Sequence, residues 1–493
     1  MDLTALPAAE LSAAIHARAV SCRDVVTAHY ERIASRNPTL NALVAVRDLD
    51  AVLAEAAVCD DELVAGRSRG WMHGFPHAVK DLTDAAGLPT TMGSRLFADR
   101  IATGDSLLVQ RMRRAGCLVI AKSNVPEFGL GSHTFNDVYG ITRNPYDTTR
   151  TAGGSSGGAA VALATGMVPV ADGSDYMGSL RNPAGWCDVV GFRPSQGRVP
   201  TWPSTDAYLA QLATDGPMGR QALDVALLLG TLAGHDPRAP LSLPGRLDEL
   251  DGIAAARATL VGDPTGTRIG WLADLDGHLA MEPGVLTVCE DALARLGGIG
   301  CRVEPARLGL PPEQVWEAWL VWRALLVSAS LSSAVRRPAD RALVKPEALW
   351  ELDRGVALTG ASITAASAVR TAYFRDLLEC FDRFDVLALP SAQVWPFPVE
   401  QRWPDRIGDR AMDAYHRWME VASYATFAGL PAISVPAGFD ERGLPMGLQL
   451  IGRRGADVEV LRLAHAYDAV RPQRRPPTSA SSTTPGAAPG QLS

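Results

Sequence analysis

The spacing of apolar and polar positions along the chain predicts helices alternating with short buried strands. Residues 7 to 35 carry the spacing of two helices, the second opened by "SCRD", where Ser21 can cap the first turn and Asp24 can reach back to it. "FPHAVKDL" reads as a short apolar strand ending in a charged turn. "GCLVIAKSN" reads as a buried strand that follows the helical "SLLVQRMRRA". "PYDTTRTAGGSSGG", residues 145–158, predicts a turn-rich loop that leads into the helical "AAVALATG" and the strand-like "MVPVA". Residues 236–265, rich in Pro, Gly and Asp, predict an irregular excursion, and residues 312–385 predict helix. "DVLALP", "PAISVPAG" and "MGLQLIG" predict three late strands. Such alternation implies an α/β fold. The low-complexity "RRPPTSASSTTPGAAPGQLS" predicts a disordered tail over residues 473–493.

Composition narrows what this architecture can serve. With 493 residues, 47% hydrophobic and 20% charged, the chain can build a substantial core. A formal net charge of −7 leaves no basic footprint for nucleic acid. Seven scattered cysteines with no CxxC pair suit free thiols in a reducing compartment better than a disulfide frame. The N-terminal "MDLTALPAAELSAAIHARAVS" lacks the basic start and apolar core of a secretory signal. No uninterrupted apolar run approaches the roughly 18 residues of a membrane span. The expectation is a cytoplasmic protein of enzyme size, with neither nucleic acid nor membrane as partner.

Three polar features stand in apolar or glycine-rich surroundings: Lys80, the serines of "GGSSGG", and Ser179 in "DYMGSLRNPA". Each has a plain structural explanation. A Gly/Ser run is commonly a flexible linker, a lysine after a strand is a solvated end, and a serine before a helix is a cap. "GGSSGG" also fits the G-x-S-x-G nucleophile elbow, but an elbow follows a buried strand and "NPYDTTRTA" is not one. A phosphate-cradling loop needs a Lys-Ser or Lys-Thr ending that is missing here.

The run "TAGGSSGGAAVALATGMVPVADGSDYMGSLRNPAGWCDVVGFRPSQGRVP" resembles the signature segment of the amidase signature family. "GFPHAVKD", "AGCLVIAKSNVPEFGLGSH" and "GLPAISVPAGFDERGLPMGLQLIG" extend the resemblance, in family order, from about residue 5 to 470. It implies a mixed, twisted β-sheet sandwiched between α-helices, in one large domain over residues 1–472 with a helix-rich cap near 240–385. It also implies a Ser–cisSer–Lys triad: Ser179 as nucleophile, Ser155 as bridge after a cis peptide, and Lys80 as base. The backbone N–H groups of Tyr176, Met177 and Gly178 would form the oxyanion hole, and Phe128 and Gly129 would line the acyl pocket. No metal or organic cofactor is implied. The implied activity is hydrolysis of the C–N bond of a small-molecule amide through an acyl-enzyme, in a monomer or homodimer. Glutamine-hydrolysing subunits of tRNA-dependent amidotransferases share the motifs and stand as the alternative. The presence of Lys80, Ser155 and Ser179 together argues against a catalytically dead binding protein.

The residue types suit this chemistry on their own terms. A serine hydroxyl is a poor nucleophile until a base takes its proton. A lysine serves as that base only when neutral, so its ordinary pKa of about 10.4 must fall, which burial achieves. "FPHAV" supplies apolar cover, and Asp81 is expected to face away or serve another partner. Met177 stands where the commoner family form has glycine. Its backbone N–H is unaffected, Gly178 keeps access to φ > 0, and Met177 is expected to shape the acyl pocket or pack beneath it. Asp175 and Arg181 are expected to hold the loop, and Pro183 to sit in a helical first turn. Trp316, Trp319 and Trp322 fit one side of a helix and read as core. Trp395, Phe397 and Trp403, in a Pro-rich stretch, are candidate contacts to a hydrophobic or aromatic amide, aryl amide or carbamate.

Overall fold

Ser21 opens the second helix as its sequence predicts. In a computed structural model, which describes residues 1–477, its hydroxyl accepts the Asp24 N–H at 3.0 Å. The Asp24 carboxylate accepts the Ser21 N–H at 2.9 Å, and helix Cys22–Leu40 follows. Strands Pro76–Lys80 and Leu118–Ser123 are buried at every position, which is why they read as unbroken apolar runs. They pair in parallel, and Leu43–Val44 lies antiparallel on the other side of Leu118–Ser123.

The larger sheet has eight strands in the order Arg302–Pro305, Arg268–Trp271, Val386–Pro390, Pro445–Gly452, Ala432–Phe439, Val190–Arg193, Thr214–Gly219, Ala171–Asp175. The first three pair in parallel and the remaining junctions are antiparallel, so the sheet is mixed. Its last strand, Ala171–Asp175, packs against Pro76–Lys80 of the small sheet. Helix Gly157–Ala164, made only of Gly, Ala, Val and Leu, is buried throughout and touches both sheets. A Cβ on Gly158 would lie 2.4 Å from the Asn124 N and 2.5 Å from the Ala42 O, so only glycine permits this approach. The place where the two sheets and this helix meet holds the candidate residues.

Three expectations need correction. "MVPVA" is not a strand: its valines are buried in an irregular link, and the strand begins at Ala171, where pairing with Met218 becomes available. The stretch 236–265 contains a helix, Ile253–Leu260, held by the burial of Ala256 and Leu260. The segment 240–385 is not one helical cap, because Arg268–Trp271 and Arg302–Pro305 join the edge of the large sheet. The helical layer is confined to Pro312–Ser332, Pro346–Val356 and Gly360–Arg383, which pack on one another. Trp316, Trp319 and Trp322 are buried within it. Among the described residues no helix is long and apolar enough to cross a membrane. Of the predicted tail, residues 473–477 carry no regular secondary structure, and residues 478–493 lie outside the described residues.

Candidate active site

Lys80 ends its strand wholly buried, and its amine meets hydroxyls rather than a carboxylate. Nζ donates to Ser155 Oγ at 2.9 Å, Ser156 Oγ at 2.8 Å and Ser174 Oγ at 2.9 Å, with the Ser174 carbonyl at 3.3 Å. Burial pulls its pKa down to about 7, against the opposing pull of Asp215, Asp172 and Asp175. The peptide Gly154–Ser155 is cis. The loop around it is tied on both sides: Gly154 N–H donates to Asn182 Oδ1 at 3.3 Å, and Thr134 Oγ1 donates to the Gly153 carbonyl at 2.7 Å. Helix Gly157–Ala164 starts immediately after the two serines, so its positive end also disfavours an ammonium there.

Ser179 reaches the same place from the end of strand Ala171–Asp175. Its carbonyl accepts the Ser156 N–H at 3.2 Å, which fastens the two loops together. Its own side chain keeps a little exposure, 6%, where Lys80 has none. Among the described residues no hydrogen bond joins the Ser155 and Ser179 hydroxyls: the structure brings Lys80 to Ser155 directly and ties Ser179 to the adjacent Ser156 through backbone. Hydrogen bonds of this kind commonly tighten only when substrate is bound.

The loop that carries Ser179 is held from below by charge. Asp175 Oδ1 accepts the Gly178 N–H at 2.9 Å and Oδ2 accepts the Leu180 N–H at 3.2 Å. Arg181 grips the same carboxylate at 2.9 Å through Nε and again at 2.9 Å through Nη2, and Arg193 lies 3.6 Å away. Burial alone would raise the Asp175 carboxyl, but the two guanidiniums and the Gly178 N–H hold it below the usual range. Gly178 takes φ +85°, and a Cβ there would lie 2.6 Å from the Ala422 Cβ. One expected oxyanion donor is thereby corrected: the Gly178 N–H is already given to Asp175. Those of Tyr176 and Met177 have no protein acceptor among the described residues.

Met177 is packed beneath the loop, 2% exposed, with the Arg323 guanidinium 3.7 Å from its sulfur. Arg323 also donates to Glu351 at 2.6 Å and Tyr415 Oη at 2.7 Å, and lies 5.4 Å from the centre of the Tyr176 ring. Trp319 packs on that ring at 5.6 Å. A Cβ on Gly129 would lie 3.4 Å from Ser155 Oγ, which places the 127–129 turn against the bridging serine. Phe128, at φ 54°, packs in one cluster with Leu96, Tyr176 and Val335.

Trp395 is not part of this surround. It is 3% exposed, its indole N–H donates to the Pro283 carbonyl at 3.0 Å, and its backbone N–H donates to Glu282 at 2.8 Å. It is core, and the expected substrate contact is withdrawn. Phe397 is likewise core, edge-on to Trp186 and Trp418. Asp81 serves another partner, as expected: it accepts from Thr91 and pairs with Lys122 at 3.5 Å. Sequence reasoning missed Ser156, Ser174, Asp172 and Arg323. The two serines sat within motifs already quoted, and the neighbour of a nucleophile's helper was the available signal. Arg323 gave none, since a helical arginine normally points to water. Among the described residues one trio of possible metal ligands converges, Cys59, Glu62 and His73. His73 is spent on the Arg69 N–H at 3.1 Å and the Cys59 carbonyl at 2.9 Å, and Glu62 on Arg69 at 2.7 Å.

Known proteins resemble this chain in sequence and in fold. The sequence profile of the family described as Amidase matches residues 24–461. The chain is 36% identical over 472 residues to an acylamidase of Rhodococcus erythropolis, covering 95% of this chain and 96% of that protein. It is 34% identical over 501 residues to a glutamyl-tRNA(Gln) amidotransferase subunit from Acidothermus cellulolyticus, covering 96% of each. Among solved structures, a bacterial aryl acylamidase of the amidase signature family superposes with a TM-score of 0.87 at 30% identity, covering 94% of this chain and 96% of that one.

Proposed function

The chain belongs to the amidase family, hydrolases acting on amides, and we propose that this protein cleaves small amides with an apolar or aromatic group, through an acyl-enzyme on Ser179. The observation that carries the reading is a wholly buried amine, held near neutrality, 2.9 Å from the hydroxyl of the serine after a cis peptide. In this reading neutral Lys80 takes the Ser155 proton while Ser155 takes that of Ser179, whose Oγ bonds to the amide carbon. The carbonyl electrons move onto oxygen, where the Tyr176 and Met177 N–H groups are the available donors. The proton then returns through Ser155 to the nitrogen, the C–N bond breaks, and the amine departs. Water repeats the sequence on the ester and frees the acid.

The preference for an apolar group is supported by Phe128, Tyr176, Met177 and Trp319 gathered about the Ser155 and Ser179 loops. Amides, anilides and carbamates (urethanes) all satisfy this chemistry. The similarity to glutamyl-tRNA(Gln) amidotransferase subunits favours a second reading, glutamine hydrolysis within an assembly. The purified chain separates them: turnover of p-nitroanilides, primary amides or carbamates in the absence of partners supports the first reading. Hydrolysis of glutamine alone supports the second. Ser179→Ala must abolish either, and a variant that keeps more than a few per cent of turnover refutes the nucleophile.

A further inference from the structure

Behind the Lys80 amine lies a buried arrangement that the proton relay does not use. Asp172, on strand Ala171–Asp175, is 1% exposed and is clamped from two sides. Its Oδ1 lies 2.9 Å from His77 Nε2, and its Oδ2 accepts the backbone N–H of Lys80 at 3.2 Å. His77 is wholly buried, and its Nδ1 has no partner among the described residues. One carboxylate thus stitches the small sheet to the edge of the large one at the residue that bears the amine. We propose that Asp172, clamped by His77, is a positioning residue for Lys80: it pins the lysine's backbone and keeps a carboxylate near its amine. This rests on the reading of Lys80 as base.

The surroundings make Asp172 suited to that role. On the same strand, Asp175 is consumed by Arg181 and Arg193. On the neighbouring strand Thr214–Gly219, Asp215 sits opposite Ser174 and accepts from Thr201 at 3.3 Å. In the turn after Lys80, Asp81 is paired with Lys122 of strand Leu118–Ser123. Helix Gly157–Ala164 carries no titratable residue. Helix Cys22–Leu40 brings the buried Cys22 and His29, and His29 accompanies Arg220 and Arg32. Besides the arginine-paired Asp175, the carboxylates near the amine are Asp215 and Asp172; all three oppose the effect of burial, and burial pushes Asp215 itself up to about 6. Without them the amine would be neutral at lower pH but a weaker acceptor of the serine proton.

The test is the pH dependence of the rate at which a fluorophosphonate labels Ser179, read as the mass of the intact chain, so that no substrate need be known. In the wild type the rate should rise with pH to a plateau. Asp172→Asn keeps a group that can accept from Lys80 N–H but removes the charge, and should move the midpoint down by about one pH unit. Asp215→Asn, which leaves the clamp intact, should move the midpoint in the same direction but keep the plateau. His77→Leu should lower the plateau about tenfold by releasing the clamp, with His77→Gln restoring most of it. A folded Asp172→Asn protein that labels with an unmoved midpoint, or a folded His77→Leu protein with an unchanged plateau, overturns this inference and leaves the amidase reading intact. A wild-type chain that is not labelled at all overturns both.

Discussion

Two lysines are buried in the small sheet, Lys80 on one strand and Lys122 one register position away on its parallel neighbour, facing opposite sides of the sheet, and they do different work. Both are wholly excluded from solvent, and burial pulls both below the ordinary lysine value. Lys122 donates to the Thr83 carbonyl at 2.7 Å and Thr90 Oγ1 at 3.1 Å, with the Asp81 carboxylate at 3.5 Å. Its network closes on itself: an anion balances the ammonium and a carbonyl can only accept. Lys80 also meets a carbonyl, that of Ser174, but among the described residues no carboxylate pairs with it, and its other three partners are hydroxyls, each of which can give up a proton as well as take a hydrogen bond. Burial alone therefore does not make a base. What separates the two is whether the neighbours hold the proton on the lysine or offer it one.

The comparison breaks most sharply by exchanging what each amine provides. Lys80→Ala and Ser155→Ala should each reduce kcat/KM by roughly 10⁴-fold or more, with the double variant little worse, because the groups act as a unit. Additive losses in the double variant would show that Ser155 and Lys80 act separately. Lys122→Met should instead cost about 3–5 kcal/mol of unfolding free energy, since it strands the Asp81 carboxylate. Denaturant titration reads that loss, while the protein that remains folded should keep its turnover. A Lys122→Met protein of unchanged stability but lost activity would reverse the two roles.

A smaller effect sharpens the distinction. Lys80 works only when neutral, and its pKa lies near 7. Protonation removes activity below that value, so kcat/KM should rise about tenfold from pH 6 to pH 8 and then level. A profile flat over that range, measured where chemistry limits the rate, contradicts a lysine base at this position.

The sequence made one of these lysines visible and hid the other. Lys80 stood out because "FPHAVKDL" puts a charge at the end of an apolar run inside a long, specific motif series. Lys122 lies in an equally apolar run, "GCLVIAKSN", but its partner Asp81 is some forty positions away, and no local pattern announces a contact made by strand pairing. The same limit explains the other differences. Capping signals such as Ser21 and Asp24 act over three residues and were legible, as were the late strands. The cap boundary failed because strands Arg268–Trp271 and Arg302–Pro305 are short and gain their place from Val386–Pro390, far along the chain. Trp395 misled because a Pro-rich neighbourhood suggests a surface loop, whereas Glu282 and Pro283 draw it into the core. Gly178 was expected only to have access to φ > 0, which it uses, and the acceptor that takes its N–H depends on how Arg181 and Arg193 orient Asp175.

The smallest effect tests where the open network of Lys80 ends. Unlike the closed circuit at Lys122, it is joined through Ser156 to the 176–179 loop, whose Met177 packs on Arg323. Replacing Met177 with glycine removes a buried thioether but neither the backbone N–H nor the Glu351 and Tyr415 bonds that hold Arg323. The loop should therefore keep its chemistry, with kcat on a small acyl anilide changing by no more than about threefold. The space opened under Tyr176 should alter which acyl groups fit, shifting the kcat/KM ratio between a bulky and a small acyl anilide by about fivefold. An unchanged ratio with a collapsed kcat would mean that Met177 supports the donors themselves, and that the reactive network extends into the helical layer through Arg323.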